Sequence, residues 1–123
     1  MLANRACHDG GWNYGNAVVF GQDLRPYVPT TALGLMALQD RAGDAVVQQS
    51  IATLTRQRLN ERSAFALSLA AIALRLHGAA AADVEAALGE STERADRRGN
   101  LQAMAMAAYA LASADHHLDA LRV

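Results

Sequence analysis

Residues Ala64 to Leu74 read AFALSLAAIAL and include no charged side chain. Alanine and leucine are strong helix formers, and no proline follows Pro29, so this segment predicts a helix. Its apolar residues cover every side of that helix instead of a single stripe. Because a helix without a polar face has to be surrounded by protein, we expect residues 64–74 to be buried on every side.

Two similar apolar segments, Thr31–Leu38 and Ala103–Leu111, lie before and after this one. Between them, residues 44–59 and 80–97 are amphipathic, each with an apolar stripe opposite a charged face. The apolar segments recur about every 35 residues, a period typical of helical-repeat arrays. The alternation predicts an all-α fold without a sheet, in which apolar helices form an inner layer and amphipathic helices an outer one.

Glycines and capping residues set the expected limits of the helices. Gly43, Gly78 and Gly99 suit the position after a helix, where left-handed backbone is favoured. Asp44 and Asn100 suit the capping position before the next helix, as do Thr30 or Thr31 and Asn60 for their own helices. Helices are therefore predicted at residues 31–42, 44–59, 61–77, 80–97 and 101–113, with a short sixth one from Asp115 to the end.

Residues 1–29 differ in composition from the rest of the chain. They hold both prolines and four of the six aromatic residues, which is typical of turns and loops. We expect this loop to be ordered, because its aromatic side chains can pack against the helices. The chain is thus predicted to be one domain, 1–123, with a turn and loop in 1–29 and about three helical hairpins in 30–123.

Composition also excludes several classes of function. The net charge is −1, so the chain lacks the basic surface of a nucleic-acid-binding protein. Its longest apolar run is shorter than the roughly 18 residues that a membrane span needs. A single cysteine excludes an internal disulfide, and residues 1–15 lack the apolar core of a secretory signal. The expected location is the cytoplasm.

Two segments near the N-terminus carry a family resemblance. Asp9–Gly15 reads DGGWNYG, and Tyr27–Gln39 reads YVPTTALGLMALQ. Together they resemble the repeat of the prenyltransferase and squalene-cyclase superfamily, in which a DGGW-type turn precedes an inner helix of the S/T-x-x-A-L-x-x-L type. The resemblance covers about residues 7–40. It implies an α/α toroid, a barrel of helical hairpins with inner and outer rings.

The catalytic residues of that superfamily have no counterpart in this chain. Its terpene cyclases protonate their substrate with a D-x-D-D acid, which is absent here. Its protein prenyltransferases hold zinc through a D-x-C pair and a distant histidine, whereas Cys7, His8 and Asp9 are contiguous and in the wrong order. We therefore predict no catalytic residue, no metal site and no cofactor.

The expected function is that of a module without catalytic activity of its own that binds an apolar ligand or a protein partner. Two alternatives stay open at this point. The chain could be part of a terpenoid-cyclase-like or prenyltransferase-like enzyme whose catalytic residues lie elsewhere, or it could be a helical-repeat scaffold for protein interactions.

Aromatic and thioether side chains are the candidates for the lining of an apolar ligand pocket. Packing of the same side chains in the core is the competing interpretation. At the end of the fourth helix, Arg94, Arg97 and Arg98 suit the negative end of the helix dipole, and an anion site there is a further hypothesis. The pocket candidates are Trp12, Tyr14, Phe65, Met104 and Tyr109.

The C-terminal part of the chain indicates that the protein associates with a second copy of itself. Three hairpins form only part of a ring, so the helix at 101–113 is expected to expose apolar side chains. A homodimer is the commonest way to cover such a surface. His116 and His117, in the short last helix, are expected to be solvated.

Overall fold

The structure is a computed structural model that describes residues 2–97, 99–112 and 115–123, with the backbone alone described for 95–97 and 115–117. The predictions for the side chains of Arg97, Arg98, His116 and His117 lie outside this description. The chain is all-α, as predicted. Its helices are α1 (Val28–Met36), α2 (Ala45–Gln57), α3 (Ala64–Leu76), α4 (Ala82–Arg97) and α5 (Leu101–Leu111), with 3-10 turns at Ala3–Arg5, Gln39–Arg41, Arg58–Asn60 and Asp115–Leu121.

The predicted absence of any sheet is wrong at one place. Strands β1 (Val18–Val19) and β2 (Gln22–Asp23) form a two-residue antiparallel hairpin. The two residues between them, Phe20 and Gly21, both have positive φ, at 51° and 76°. Positive φ at both central residues defines the type I′ turn that matches the twist of a hairpin. Phenylalanine is rare at such a position, so a hairpin was not predicted here.

Helix α3 lies at the centre of the fold and packs against α1, α4 and α5. The side chain of His77, just after α3, donates a hydrogen bond to the carbonyl oxygen of Leu35 near the end of α1. Arg75 donates in the same way to Ala110 near the end of α5. The C-terminal ends of α1, α3 and α5 therefore lie together, and the three helices run in the same direction.

The other two helices return in the opposite direction. Gln57, at the end of α2, donates to the carbonyl oxygen of Pro26 before the start of α1. Glu85, in the first turn of α4, forms an ion pair of 2.9 Å with Arg75 near the end of α3. Helix α2 packs on α1, and α4 packs on both α3 and α5. The chain thus forms successive helical hairpins whose first helices are parallel.

The burial predicted for residues 64–74 is confirmed, because all of them are buried except Phe65, which is half-buried. The two other apolar helices are only partly buried. For α1 this differs from the expected inner layer, whereas the exposure of apolar side chains on α5 was expected. Leu33 of α1 is 52% exposed and Leu101 of α5 is 75% exposed. The parallel helices α1, α3 and α5 form a row with α3 in the middle. Because α1 and α5 lie at the two edges of this row, part of the apolar surface of each faces solvent.

Several helix limits differ from the prediction. Helix α1 begins at Val28, before the predicted caps, since a proline in the first turn is already set to helical φ. Helix α3 is capped by Ser63 instead of Asn60, through a hydrogen bond from the N–H of Ala66 to the Ser63 hydroxyl. Asn100 caps α5 as predicted, accepting from the N–H of Ala103.

Candidate functional site

The DGGW turn is fixed by buried hydroxyl groups of the first two helices. The N–H of Gly11 donates to Ser50 Oγ at 2.8 Å, and the N–H of Trp12 donates to Thr31 Oγ1 at 3.1 Å. Thr53 donates from its hydroxyl to the carbonyl oxygen of Asp9. This network holds the turn against α1 and α2, so its backbone polar groups have partners inside the protein.

Both glycines of the turn are required by its geometry. Gly10 and Gly11 have φ values of +83° and +77°, which strain any residue with a Cβ. A Cβ at Gly11 would lie 2.6 Å from Thr31 Oγ1, and one at Gly10 would lie 2.8 Å from the backbone of Gln49. The motif therefore shapes and docks the turn.

Trp12 is an anchor of the fold. It is 4% exposed, and its ring lies on Gly34 of α1, where an added Cβ would overlap the ring, 2.8 Å from Cδ2. Its Nε1 donates to the carbonyl oxygen of Leu2. Packing against α1, the alternative to a role in a ligand pocket, thus explains why Trp12 is buried. Its edge still contributes to a cavity of about 380 Å³ beside α1, together with Tyr14.

The other aromatic residues of the loop face outward. Tyr14 is 77% exposed and contacts Tyr27 in a tilted arrangement, with 5.4 Å between ring centroids. Phe20 is fully exposed at the tip of the hairpin. The loop is thus held to the helices by Trp12 and the glycine turn, while the aromatic residues 14, 20 and 27 do not anchor it in the core.

A separate apolar groove crosses α1, α3 and α5 on the side of their C-terminal halves. Its volume is about 360 Å³, and only apolar surface faces it. Of the five predicted pocket residues, Tyr109 alone lines it; Phe65 and Met104 are half-buried beside the core and outside the groove. The groove is lined by Met36, Leu69, Ile72, Met106, Tyr109 and Leu121.

The five predicted residues therefore do not converge on one site. The groove combines two pairs at i,i+3 spacing, Leu69 with Ile72 and Met106 with Tyr109, on neighbouring parallel helices. That spacing was visible in the sequence, but the facing of the two pairs depends on how α3 and α5 are rotated. Leu121 comes from the C-terminal 3-10 turn and has no sequence signal for this position.

Residues with metal-ligand chemistry do not assemble in the part of the chain that the structure describes. No group of three or more His, Cys, Asp or Glu side chains there could hold an ion. Cys7 is buried, and burial raises the pKa of its thiol. His8 and Asp9 are exposed and contact each other at 3.2 Å, away from the core.

Among helices of the described residues, none is long and apolar enough to cross a bilayer. Comparisons of the chain with protein-family models, with curated proteins and with solved structures give no match. In the groove across α1, α3 and α5, the predicted pocket residue Tyr109 lies among apolar side chains.

Proposed function

We propose that this chain is a non-catalytic, α/α-toroid-like module that binds an apolar small molecule in the groove across α1, α3 and α5. The apolar lining of that groove is the observation that carries the proposal. Its volume of about 360 Å³ lies within the range of small-molecule sites. Successive hairpins with parallel first helices are the arrangement that the superfamily resemblance of residues 7–40 implies, which supports the toroid-like part.

The chemistry of the lining favours a flexible hydrocarbon as the ligand. Met36 and Met106 lie on opposite flanks of the groove, on α1 and α5, and thioether side chains adapt their shape to the ligand. Ligand binding would remove apolar surface from water, at about 25 cal/mol per Å². A charged or strongly polar ligand would lose hydration without gaining a partner from these side chains.

A fluorescence titration with N-phenylnaphthylamine, followed by displacement with a C15 isoprenoid alcohol, tests this site. Met106→Trp should fill the groove and weaken binding of both compounds about tenfold or more, as steric loss in an apolar pocket does. Leu59→Trp adds the same indole at an exposed leucine outside the groove and outside α5, and should leave binding unchanged. Equal affinities in both variants, with native circular dichroism, would contradict the site.

We also propose that the chain forms a homodimer through the outer edge of α5. Helix α5 has no charged residue, and Leu101 and Leu111 at its two ends are exposed together with Ala105 and Ala108 between them. Exposed apolar surface of this kind is normally covered by a partner. A two-fold pairing is the commonest closed arrangement for a single chain.

Light scattering at micromolar concentration should give the mass of a dimer. The double variant Leu101→Glu, Leu111→Glu should be monomeric with unchanged helix content, since it places two charges in the interface. Leu59→Glu, at an exposed leucine outside α5, should remain dimeric. A stable wild-type monomer that binds no dye for exposed apolar surface rules out this association.

A further inference from the structure

A polar cavity lies at the opposite ends of α3 and α5 from the apolar groove. It is about 560 Å³ in volume and opens where the N-terminal ends of these two helices meet the second half of α4. No acidic residue lines it within the described part of the chain. Its lining consists of Arg62, Ser63, Ala64, Ser91, Arg94, Asn100 and Ala103.

Both arginines of this cavity carry a charge that no carboxylate neutralises among the described residues. Arg62 is exposed, and its guanidinium group has no hydrogen bond or ion pair there. Arg94 donates to the hydroxyl oxygen of buried Ser91 at 2.7 Å, and a hydroxyl leaves its charge uncompensated. Guanidinium groups bind oxyanions through charge-assisted hydrogen bonds, and two of them line this cavity.

The two helix N-termini add to the positive potential. In α3, the Ser63 side chain accepts from Ala66 and the Ser63 carbonyl oxygen accepts from Leu67. The N–H groups of Ala64 and Phe65 therefore remain as donors in the first turn. Together with the N-terminus of α5 at Asn100, they place the positive ends of two helix dipoles at the same cavity.

A third arginine, Arg58, lies beside this cavity. A smaller cavity of about 230 Å³ shares Arg62, Ser91 and Arg94 with the larger one and is also lined by Arg58. The Arg58 side chain is only 10% exposed, and its Nη1 is buried without a hydrogen-bond partner. A buried donor that lacks an acceptor is unfavourable, and Arg58 adds a third cation close to Arg62 and Arg94.

The acidic residues near Arg58 do not accept a hydrogen bond from its Nη1. Asp83 binds Arg58 through Nε and Nη2, and this hydrogen bonding holds the pKa of the Asp83 carboxyl below its usual range. Glu61 accepts hydrogen bonds from the N–H groups of Arg62 and Ser63. Glu90 also lines the smaller cavity, whereas no described acidic residue lines the larger one, so a bound anion meets no carboxylate in the larger cavity.

We propose that the larger cavity binds a phosphate group, held by Arg62 and Arg94 and by the N-terminal N–H groups of α3. The proposal does not depend on the apolar groove, which lies at the other ends of the same helices. The phosphate group can belong to a soluble small molecule or to a lipid headgroup, and both present the same oxygen atoms to the arginines.

Calorimetric titration of the full chain with inorganic phosphate, against chloride at equal ionic strength, tests the site. Arg62→Gln and Arg94→Gln should each weaken phosphate binding about tenfold or more, because each removes hydrogen bonds to a charged group. Arg25→Gln removes an exposed arginine of the N-terminal loop and should bind phosphate as the wild type does. Arg62 is exposed, so its variant keeps the test valid if Arg94→Gln fails to fold.

Sedimentation with phosphatidylcholine vesicles, with and without phosphatidic acid, separates the two sources of phosphate. Sedimentation that needs phosphatidic acid and is lost in Arg62→Gln assigns the site to a lipid headgroup. Phosphate binding without sedimentation assigns it to a soluble molecule. The proposal is overturned if neither phosphate nor phosphatidic acid is bound in preference to its control, or if the Arg62 and Arg94 variants bind as Arg25→Gln does.

Discussion

Leu69→Asp is expected to abolish the cooperative fold of this chain. Leu69 is 5% exposed on α3, the helix that packs against α1, α4 and α5. An unpaired carboxylate in such a position costs several kcal/mol or has to stay protonated. A domain of this size is stable by only about 5–15 kcal/mol, so the loss removes much or all of its stability. Urea unfolding followed by circular dichroism measures the effect.

Two further variants define what the Leu69 result means. Leu69 lies beside the apolar groove, so Leu67→Asp, at a completely buried position of the same helix, tests the core without the groove. Leu59→Asp makes the same chemical change at an exposed leucine and should alter stability by less than about 1 kcal/mol. A folded Leu67→Asp protein would refute the central position of α3.

Trp12→Ala should destabilise the chain by about 3–5 kcal/mol, the usual range for truncation of a buried aromatic residue. The change removes the ring that covers Gly34 and the hydrogen bond from Nε1 to Leu2. Tyr14→Ala, two residues away at an exposed site, should have an effect of about 1 kcal/mol or less. The midpoints of urea unfolding compare the two variants directly.

Gly34→Ala tests the contact with Trp12, because its effect on stability should be of opposite sign in the wild type and in the Trp12→Ala variant. In the wild type the added methyl group overlaps the Trp12 ring, and overpacking of this kind typically costs about 1–3 kcal/mol. In the Trp12→Ala background the same change meets open space and replaces a helical glycine, which is favourable by about 1 kcal/mol. Destabilisation of equal size in both backgrounds would show that Trp12 does not lie on Gly34.

Local patterns in the sequence were sufficient to predict the helices and the buried central one. The continuous apolar surface of residues 64–74 predicted α3, and Asn100 predicted the start of α5. The exposure of α1 could not be predicted from its own pattern, because α1 is nearly as apolar as α3. The exposure of α5 was expected only because three hairpins leave an open edge. What distinguishes the three is the number of neighbours, which depends on the position of each helix in the row.

The candidate sites were predicted less completely. Tyr109 was identified as a pocket residue, but all of its partners except Met106 come from three other elements of the fold. The arginines at the end of the fourth helix suggested an anion site, and Arg94 does line the polar cavity. Arg62 was missed, because about thirty residues separate it from Arg94 and only the packing of α3 against α4 brings them together.

The docking of the DGGW turn also has a spectroscopic consequence. Trp12 is the only tryptophan of the chain, so the indole emission comes from this turn alone. Circular dichroism, in contrast, averages over all five helices. If the turn detaches from α1 while the helices persist, the emission shifts to the red before ellipticity changes. The chain thus carries a built-in fluorophore that separates local opening of its N-terminal region from global unfolding.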